Sequence, residues 1–304
     1  MSLIRPLIVL SNVIVDHITA PDGSTYSALG GAATYAACGA ACWWPAVTTV
    51  AGIGRDLDEL MAQAPPLCWF DRAHLVQRDE HTSRSRIEYH ADGERLESPV
   101  LGFEHFERMQ TTAADIPDEV LPAAATYCFK DLSEPFWDSL WARRARLGVL
   151  LWELQGSVAT AKHWPALRHV LPRFDIFSLN LTEAQGLLGP LEPDEILDAL
   201  LGTGVPITLL RMGAQGAMIA DRTRRLRLTP PPSRVIDVTG AGNSFCGGFL
   251  GGWCATHDLE EAARAAAAAA AYVINVRGAP ATIVPAELAA LAAATGIEPV
   301  GVLS

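Results

Sequence analysis

From residue 126 onward, short apolar runs recur at 126–129, 148–152, 175–179 and 207–211, and each gap is long enough for a helix and its loops. No other feature limits the fold as much. Strands and helices in steady alternation imply βαβ units, a parallel sheet and right-handed crossovers. Upstream, the apolar run at residues 7–15 predicts one strand buried on both faces. Gly30 and Gly31 then open an Ala-rich helical stretch to about Cys42. Ala46 to Ile53 reads as a second strand and Leu57 to Ala64 as a helix. The last third reads mostly helical, over about 241–256, 259–276 and 285–295, with Glu260 and Glu261 where a helix dipole favours acids.

Two segments leave this pattern. Residues 13–28 alternate loosely and turn at Pro21-Asp22-Gly23. Residues 82–100 carry a hairpin signal: Ser85 to His90 alternates, Ala91-Asp92-Gly93 turns, and Glu94 to Val100 returns. Neither reads as apolar enough for core. Together, at about 13–28 and 82–100, they are expected to form a small β-sheet lid over one edge of a single α/β domain spanning 1–304. The exposed edge of such a sheet is a pairing surface, so a homodimer through the lid is a further expectation.

Composition bounds the partners. Half of the 304 residues are apolar and 19% are charged, which suits a large buried core. The net charge of −11 argues against nucleic acid, because binding a phosphate backbone needs clustered Lys and Arg. The densest basic run, Arg222 to Arg227, reads as a polar hairpin edge. Lys130 and Lys162 are the only lysines, so a P-loop lysine is scarcely available. The six cysteines form no CxxC pair. Cys38 and Cys42 lie four apart with no nearby His, so buried reduced thiols fit better than zinc. The first residues lack a signal-peptide design, and the longest apolar run, Ala265 to Ile274, is about half a membrane span. A soluble cytoplasmic protein without a membrane partner is expected.

The stretch Asp237-Val238-Thr239-Gly240-Ala241-Gly242-Asn243 holds the clearest chemistry. Small residues at 240–242 let backbone approach a ligand closely, just before a helix whose first N–H groups have no internal partner. Those donors and the helix dipole make an anion site. A tight strand-to-helix turn would use the same residues. The stretch is neither a Walker A loop nor a full dinucleotide fingerprint, since Phe245 stands where a third glycine would be.

The longer pattern resembles the C-terminal signature of the PfkB (ribokinase) family of carbohydrate and nucleoside kinases, Asp-x-Thr-Gly-Ala-Gly-Asp. Residues 237–242, 247 and 248 match, and position 243 is Asn where the family has Asp. Asn12 and Asp16 resemble its Gly-Asn-x-x-x-Asp start. Gly30-Gly31-Ala32-Ala33-Thr34 resembles its diglycine signature, with Tyr35 where Asn is frequent. Gly52-Ile53-Gly54-Arg55-Asp56 resembles its Gly-x-Gly-x-Asp, Asn180-Leu181-Thr182-Glu183 its Asn-x-x-Glu, and Arg211-Met212-Gly213-Ala214-Gln215-Gly216 its Thr-x-Gly-x-x-Gly, with Arg for Thr. The resemblance covers nearly the whole chain. It implies a ribokinase-like fold, with a doubly wound, mostly parallel sheet flanked by helices and a small β-sheet lid.

The resemblance also implies roles. Asn12, Asp16, Gly30 and Gly31 would hold the acceptor molecule, Asp16 by gripping its hydroxyls from the C-terminal edge of the first strand. Arg211, Gly213, Gly216 and Asp237 would bind the nucleotide, although 211–216 reads equally as a turn between two strands. Asn180 and Glu183 would organise Mg²⁺ through water. An ordinary helix start also reads from this stretch, with Thr182 before an apolar helix face and the acidic Glu183 beside it. Gly240, Ala241 and Gly242 would hold the transferring phosphoryl group by backbone N–H, with Asn243 on the reacting hydroxyl. Trp43 and Trp44 read as core or interface, and Glu153 stands at the same sheet edge as the other motifs.

An amide is not a useful base, and general-base help is worth roughly 10²–10⁴-fold. Phosphoryl transfer also rests on positioning and charge stabilisation, so a slow enzyme remains chemically reasonable. Three readings follow: an ATP- and Mg²⁺-dependent kinase of a sugar or nucleoside-like small molecule, a binding protein that senses sugar or nucleotide without turnover, or an active kinase into which Asn was introduced. A large gain of turnover on Asn243→Asp would mean that the pocket is otherwise complete.

Overall fold

The computed structural model describes residues 4–62, 66–89 and 95–300. The expected turn at 91–93 lies outside the described residues. In chain order the first half runs β1 (Leu7–Leu10), β2 (Ile14–Thr19), β3 (Thr25–Gly30), α1 (Gly31–Ala41), β4 (Val47–Gly54), α2 (Leu57–Ala62), β5 (Leu75–Asp79), β6 (Arg84–Tyr89), β7 (Arg95–Pro99) and α3 (Phe103–Arg108). It continues with β8 (Ala125–Lys130), α4 (Glu134–Trp141), β9 (Val149–Leu154), α5 (Trp164–Val170), β10 (Ile176–Asn180), α6 (Leu181–Leu188), α7 (Pro193–Leu201) and β11 (Ile207–Arg211). The last elements are β12 (Ala217–Ala220), β13 (Arg225–Thr229), α8 (Ala241–Thr256), α9 (Leu259–Val273), α10 (Pro285–Ala294) and β14 (Gly296–Pro299).

Ten of these strands form one sheet in the order β14-β13-β12-β11-β10-β9-β8-β1-β4-β5. From β11 to β5 every pairing is parallel. The strands β12, β13 and β14 add antiparallel at one edge. Helices cover both faces. One core cluster packs Trp137, Trp152, Phe174 and Phe177 beneath α4 to α7. The other packs Tyr127, Phe245 and Phe249 among the small residues of α1, α8 and α9. The Ala run of α9 is therefore buried helix surface: Ala262, Ala263, Ala266, Ala268 and Ala269 are fully buried.

The remaining four strands form a separate sheet in the order β3-β2-β6-β7. They come from the two segments that break the βαβ rhythm. Two expectations change here. The apolar run at 7–15 is two strands, not one: β1 belongs to the large sheet and β2 to the small one. The chain breaks at Ser11-Asn12, where the Asn12 carbonyl accepts the N–H of Ala33 (3.0 Å) instead of continuing a ladder. Nor is the small sheet too polar to enter the core, because Ile18 and its cross-strand partner Ile87 are buried on the face that carries Asp16, and Val15 is buried on the other. Among the described residues, no helix is long and apolar enough to cross a membrane.

Candidate active site

The loop before α8 is built by one carboxylate. Asp237 accepts hydrogen bonds at one oxygen from the Thr239 N–H (2.9 Å) and hydroxyl (2.6 Å). Its other oxygen accepts the N–H of Gly278 (3.0 Å), beyond the end of α9. Asp237, expected to bind nucleotide, is thus buried and engaged in holding the loop. The loop reaches α8 through Gly240, whose φ of 76° lies in the left-handed region that only glycine enters freely. A methyl there would also collide with the ring of Tyr35 on α1. No side chain caps α8. The Ala241 N–H turns back to the Val238 carbonyl (3.2 Å), so it belongs to the turn rather than to a ligand. The N–H groups of Gly242 and Asn243 stand in the first turn, where a helix offers no internal acceptor.

A cavity of about 420 Å³ opens in front of this helix end. Thr239, Gly240 and Asn243 line one side, and Asn12, Asp16 and Gly31 another. The structure therefore brings together residues 12, 16, 31, 240 and 243 from three distant stretches of chain. Asp16 is only 2% exposed and stands on β2, inside the small sheet, rather than at the end of β1. Gly30 lies behind it, and a side chain at 30 would collide with its carboxylate. The rest of the wall is largely apolar: Ile14 and Ile87 from the small sheet, Phe103 and Phe106 from α3, and Phe129 from β8. Ser85, Glu97, Gln155 and Ser157 add polar groups. Motif reading missed these residues because Phe and Ile in strands and helices carry no chemical signal of their own. Tyr35 also lines the cavity. It is 1% exposed, and its hydroxyl has no hydrogen-bond partner among the described residues. Its ionisation is pushed up by burial first and by Asp16 second, so it remains a neutral donor.

The small sheet is tied to the anion loop by side chains. The Tyr89 hydroxyl of β6 lies 2.8 Å from the Thr239 hydroxyl. Tyr26 of β3 is held neutral by burial and then by Asp237 beside it, and the Arg277 guanidinium lies 5.0 Å over its ring.

A model of the pfkB family of carbohydrate kinases matches residues 128–286. The chain belongs to the pfkB family. It is 26% identical over 260 residues to the cytidine kinase of Thermococcus kodakarensis, covering 85% of this chain and 92% of that one. Among solved structures, the adenosine kinase of Sinorhizobium meliloti superposes with a TM-score of 0.75 at 22% identity, over 96% of this chain and 100% of that chain. The aminoimidazole riboside kinase of Salmonella enterica, complexed with aminoimidazole riboside and an ATP analog, gives a TM-score of 0.72 at 18% identity over 95% and 100%. These likenesses give the ribokinase-like fold, a large mostly parallel sheet with helices and a small separate sheet.

Within this pfkB chain, position 243 opens onto a buried polar chain. The Asn243 amide donates from Nδ2 to the Tyr127 hydroxyl (3.1 Å), which donates to Glu153 Oε2 (2.6 Å). Glu153 Oε1 lies 2.9 Å from Arg211 Nη1, and Arg211 Nη2 lies 3.8 Å from Glu183 Oε2. Burial alone would weaken Arg211's hold on its proton, but Glu153 overrides this and keeps the guanidinium charged. Arg211 passes directly beneath Gly242, where a side chain would strike it. Arg211 was expected at the nucleotide. Its guanidinium instead neutralises Glu153 below the helix end. Glu153 is 2% exposed, so it stands under the site and does not line the cavity.

Asn180 and Glu183 form a reciprocal capping box at the start of α6. The Glu183 N–H reaches Asn180 Oδ1, and the Asn180 N–H reaches Glu183 Oε2, both at 2.8 Å. The ordinary helix start is therefore present, with Asn180 rather than Thr182 at the cap. Gly213 and Gly216 form the tight turn from β11 to β12, with φ of 58° and 88°. Neither the turn nor the capping box lines the cavity.

Proposed function

We propose that this pfkB-family chain is a kinase that transfers the γ-phosphoryl group of ATP to a hydroxyl of a sugar or nucleoside-like small molecule. One observation carries this reading: a buried carboxylate, Asp16, and an uncapped helix end at Gly240 to Asn243 face the same cavity. A carboxylate accepts hydrogen bonds from hydroxyls, and a helix end holds phosphate. The acceptor oxygen would attack the γ-phosphorus as the bond to the β,γ-bridging oxygen breaks and ADP leaves with that electron pair. The hydroxyl proton departs to solvent or to a phosphoryl oxygen, and positioning with charge stabilisation supplies most of the acceleration.

The nucleotide would lie toward the β11–β12 turn, with Gly213 and Gly216 giving backbone room. Among the described residues no three His, Cys, Asp or Glu converge. That suits Mg²⁺ carried on nucleotide phosphates with much of its water retained. Asn180 and Glu183 would hold such an ion through water. The magnesium would neutralise phosphate charge during transfer.

The apolar walls bear on the acceptor. Phe103, Phe106 and Phe129 would leave the hydroxyls of a bare sugar unmatched, whereas a planar base stacks on such rings. Nucleosides are thus favoured over free monosaccharides. Steady-state kinetics over both classes tests this. A higher kcat/KM for a nucleoside, falling about 10-fold in Phe106→Ala, is expected. Equal rates on free sugars, unmoved by Phe106→Ala, would rule it out.

Asn243 favours a second reading, a binding protein that senses sugar or nucleotide without turnover. It predicts ATP binding and no ADP release on any acceptor.

A further inference from the structure

We propose that Tyr127 and Glu153 are positioning residues that hold the Asn243 amide with its carbonyl oxygen turned to the cavity, and that they make position 243 a place for a hydrogen-bond donor rather than a carboxylate. The part concerning the acceptor hydroxyl rests on the kinase reading; the preference for a donor does not.

The argument is a count of protons. A tyrosine hydroxyl has one proton to give. Tyr127 lies 2.6 Å from Glu153 Oε2 and spends that proton there. Its oxygen is then left to accept, and the neighbour at 3.1 Å is Asn243 Nδ2. The amide nitrogen therefore points inward and Oδ1 points away from Tyr127, toward the cavity that Asn243 lines. The other oxygen of Glu153 lies 2.9 Å from Arg211 Nη1, so donors stand at both of its oxygens and the order of the chain is fixed from that end. Burial favours the neutral Tyr127 hydroxyl in the same direction.

An Asp at 243 would put a carboxylate against the Tyr127 oxygen, whose single proton is already given to Glu153 just behind, leaving two carboxylates to share one donor. The titratable and charged groups around it would be Tyr127 from β8, Glu153 from β9, Cys246 from α8 and, behind Glu153, Arg211 from β11 on the inner side, with Asp16 from β2, Tyr35 from α1 and Glu97 from β7 lining the same cavity. Like charges at this range raise a carboxyl pKa. Asn243→Asp should therefore weaken the protein at neutral pH. The folded-state pKa of the new Asp would lie above its unfolded value. Its stability deficit should then be small in acid and grow as pH rises above about 4.

Moving the charge should cure the defect. In Glu153→Gln with Asn243→Asp, the glutamine amide can donate to Tyr127 and Tyr127 to the aspartate, restoring every bond in the opposite sense. The experiment measures melting from about pH 3 to 8 and turnover for wild type, N243D, E153Q and the double variant. N243D should melt at least about 2–4 °C below wild type at pH 8, with the gap closing as pH falls below about 4, where the carboxyl is protonated in folded and unfolded protein alike. The double variant should melt higher than the two single losses predict, and its kcat/KM should exceed that of either single variant. Additive melting losses, or an N243D deficit independent of pH, would overturn the proposal. If E153Q fails to fold, Tyr127→Phe replaces it: the difference between Asn and Asp at 243 should shrink once the hydroxyl is gone, and an unchanged difference would overturn the proposal. Melting needs no substrate. Coupled melting without turnover in any protein would therefore sink the kinase reading and leave this one standing; turnover with additive melting would do the reverse.

Discussion

At the scale of single residues, the buried Asp16 and the half-buried Gly240 serve opposite sides of one cavity. Asp16 is a nearly sealed carboxylate on the small sheet. Hydrogen bonds to a charged group contribute about 1.5–3 kcal/mol, so Asp16→Asn should cut kcat/KM for the acceptor by about 10- to 10²-fold. ATP affinity, measured by calorimetry, should stay as in wild type. An equal loss of both would mean that Asp16 only supports the fold. Gly240 does its work through backbone shape. Gly240→Ala adds about 1–2 kcal/mol of left-handed strain, together with a collision against the Tyr35 ring. Denaturant unfolding should show a loss of at least that size, and the same variant should lose phosphate-end binding. Wild-type stability would remove the argument that Tyr35 and Gly240 close on each other.

Elements show where the sequence was legible and where it was not. The strands β8 to β11 and the helices α8 to α10 fall where apolar periodicity places them, because each is one uninterrupted run of a single period. The run at 7–15 misled, since Ser11 and Asn12 are small enough to hide a change of sheet and every residue from Leu7 to Val13 but Asn12 is buried regardless. The anion loop was legible from Gly240, Ala241 and Gly242. The chain from Asn243 through Tyr127 to Arg211 was not, because three strands and a helix meet only after folding. Two element-level outcomes follow. The α8–α9 contact is made of glycines and alanines, and Ala269 packs directly over Gly248. Ala269→Leu should cost about 1–3 kcal/mol by overpacking, read as a fall in the denaturation midpoint at unchanged slope. The Tyr89–Thr239 bond joins the small sheet to the anion loop. Tyr89→Phe should raise KM for the acceptor more than it lowers kcat, if that sheet acts as a lid. An effect on kcat alone would place Tyr89 in the chemistry instead.

For the whole molecule, the fold arranges two sheets so that one supplies the anion loop and the other supplies Asp16. Neither half makes the cavity alone. The outer strands of the small sheet, β3 and β7, are its edges, and Leu96 and Val100 are exposed on and beside β7. A homodimer through this sheet is the expectation, and sedimentation at micromolar concentration giving only monomer would remove it. The most direct test incubates the purified protein with Mg-ATP and a panel of nucleosides and sugars, reads ADP release, and measures ATP binding on the same sample. ADP release that depends on one acceptor and is strongest among nucleosides is expected. ATP binding without ADP release on any acceptor would contradict it and leave a sensor, and the absence of both would remove the nucleotide site itself.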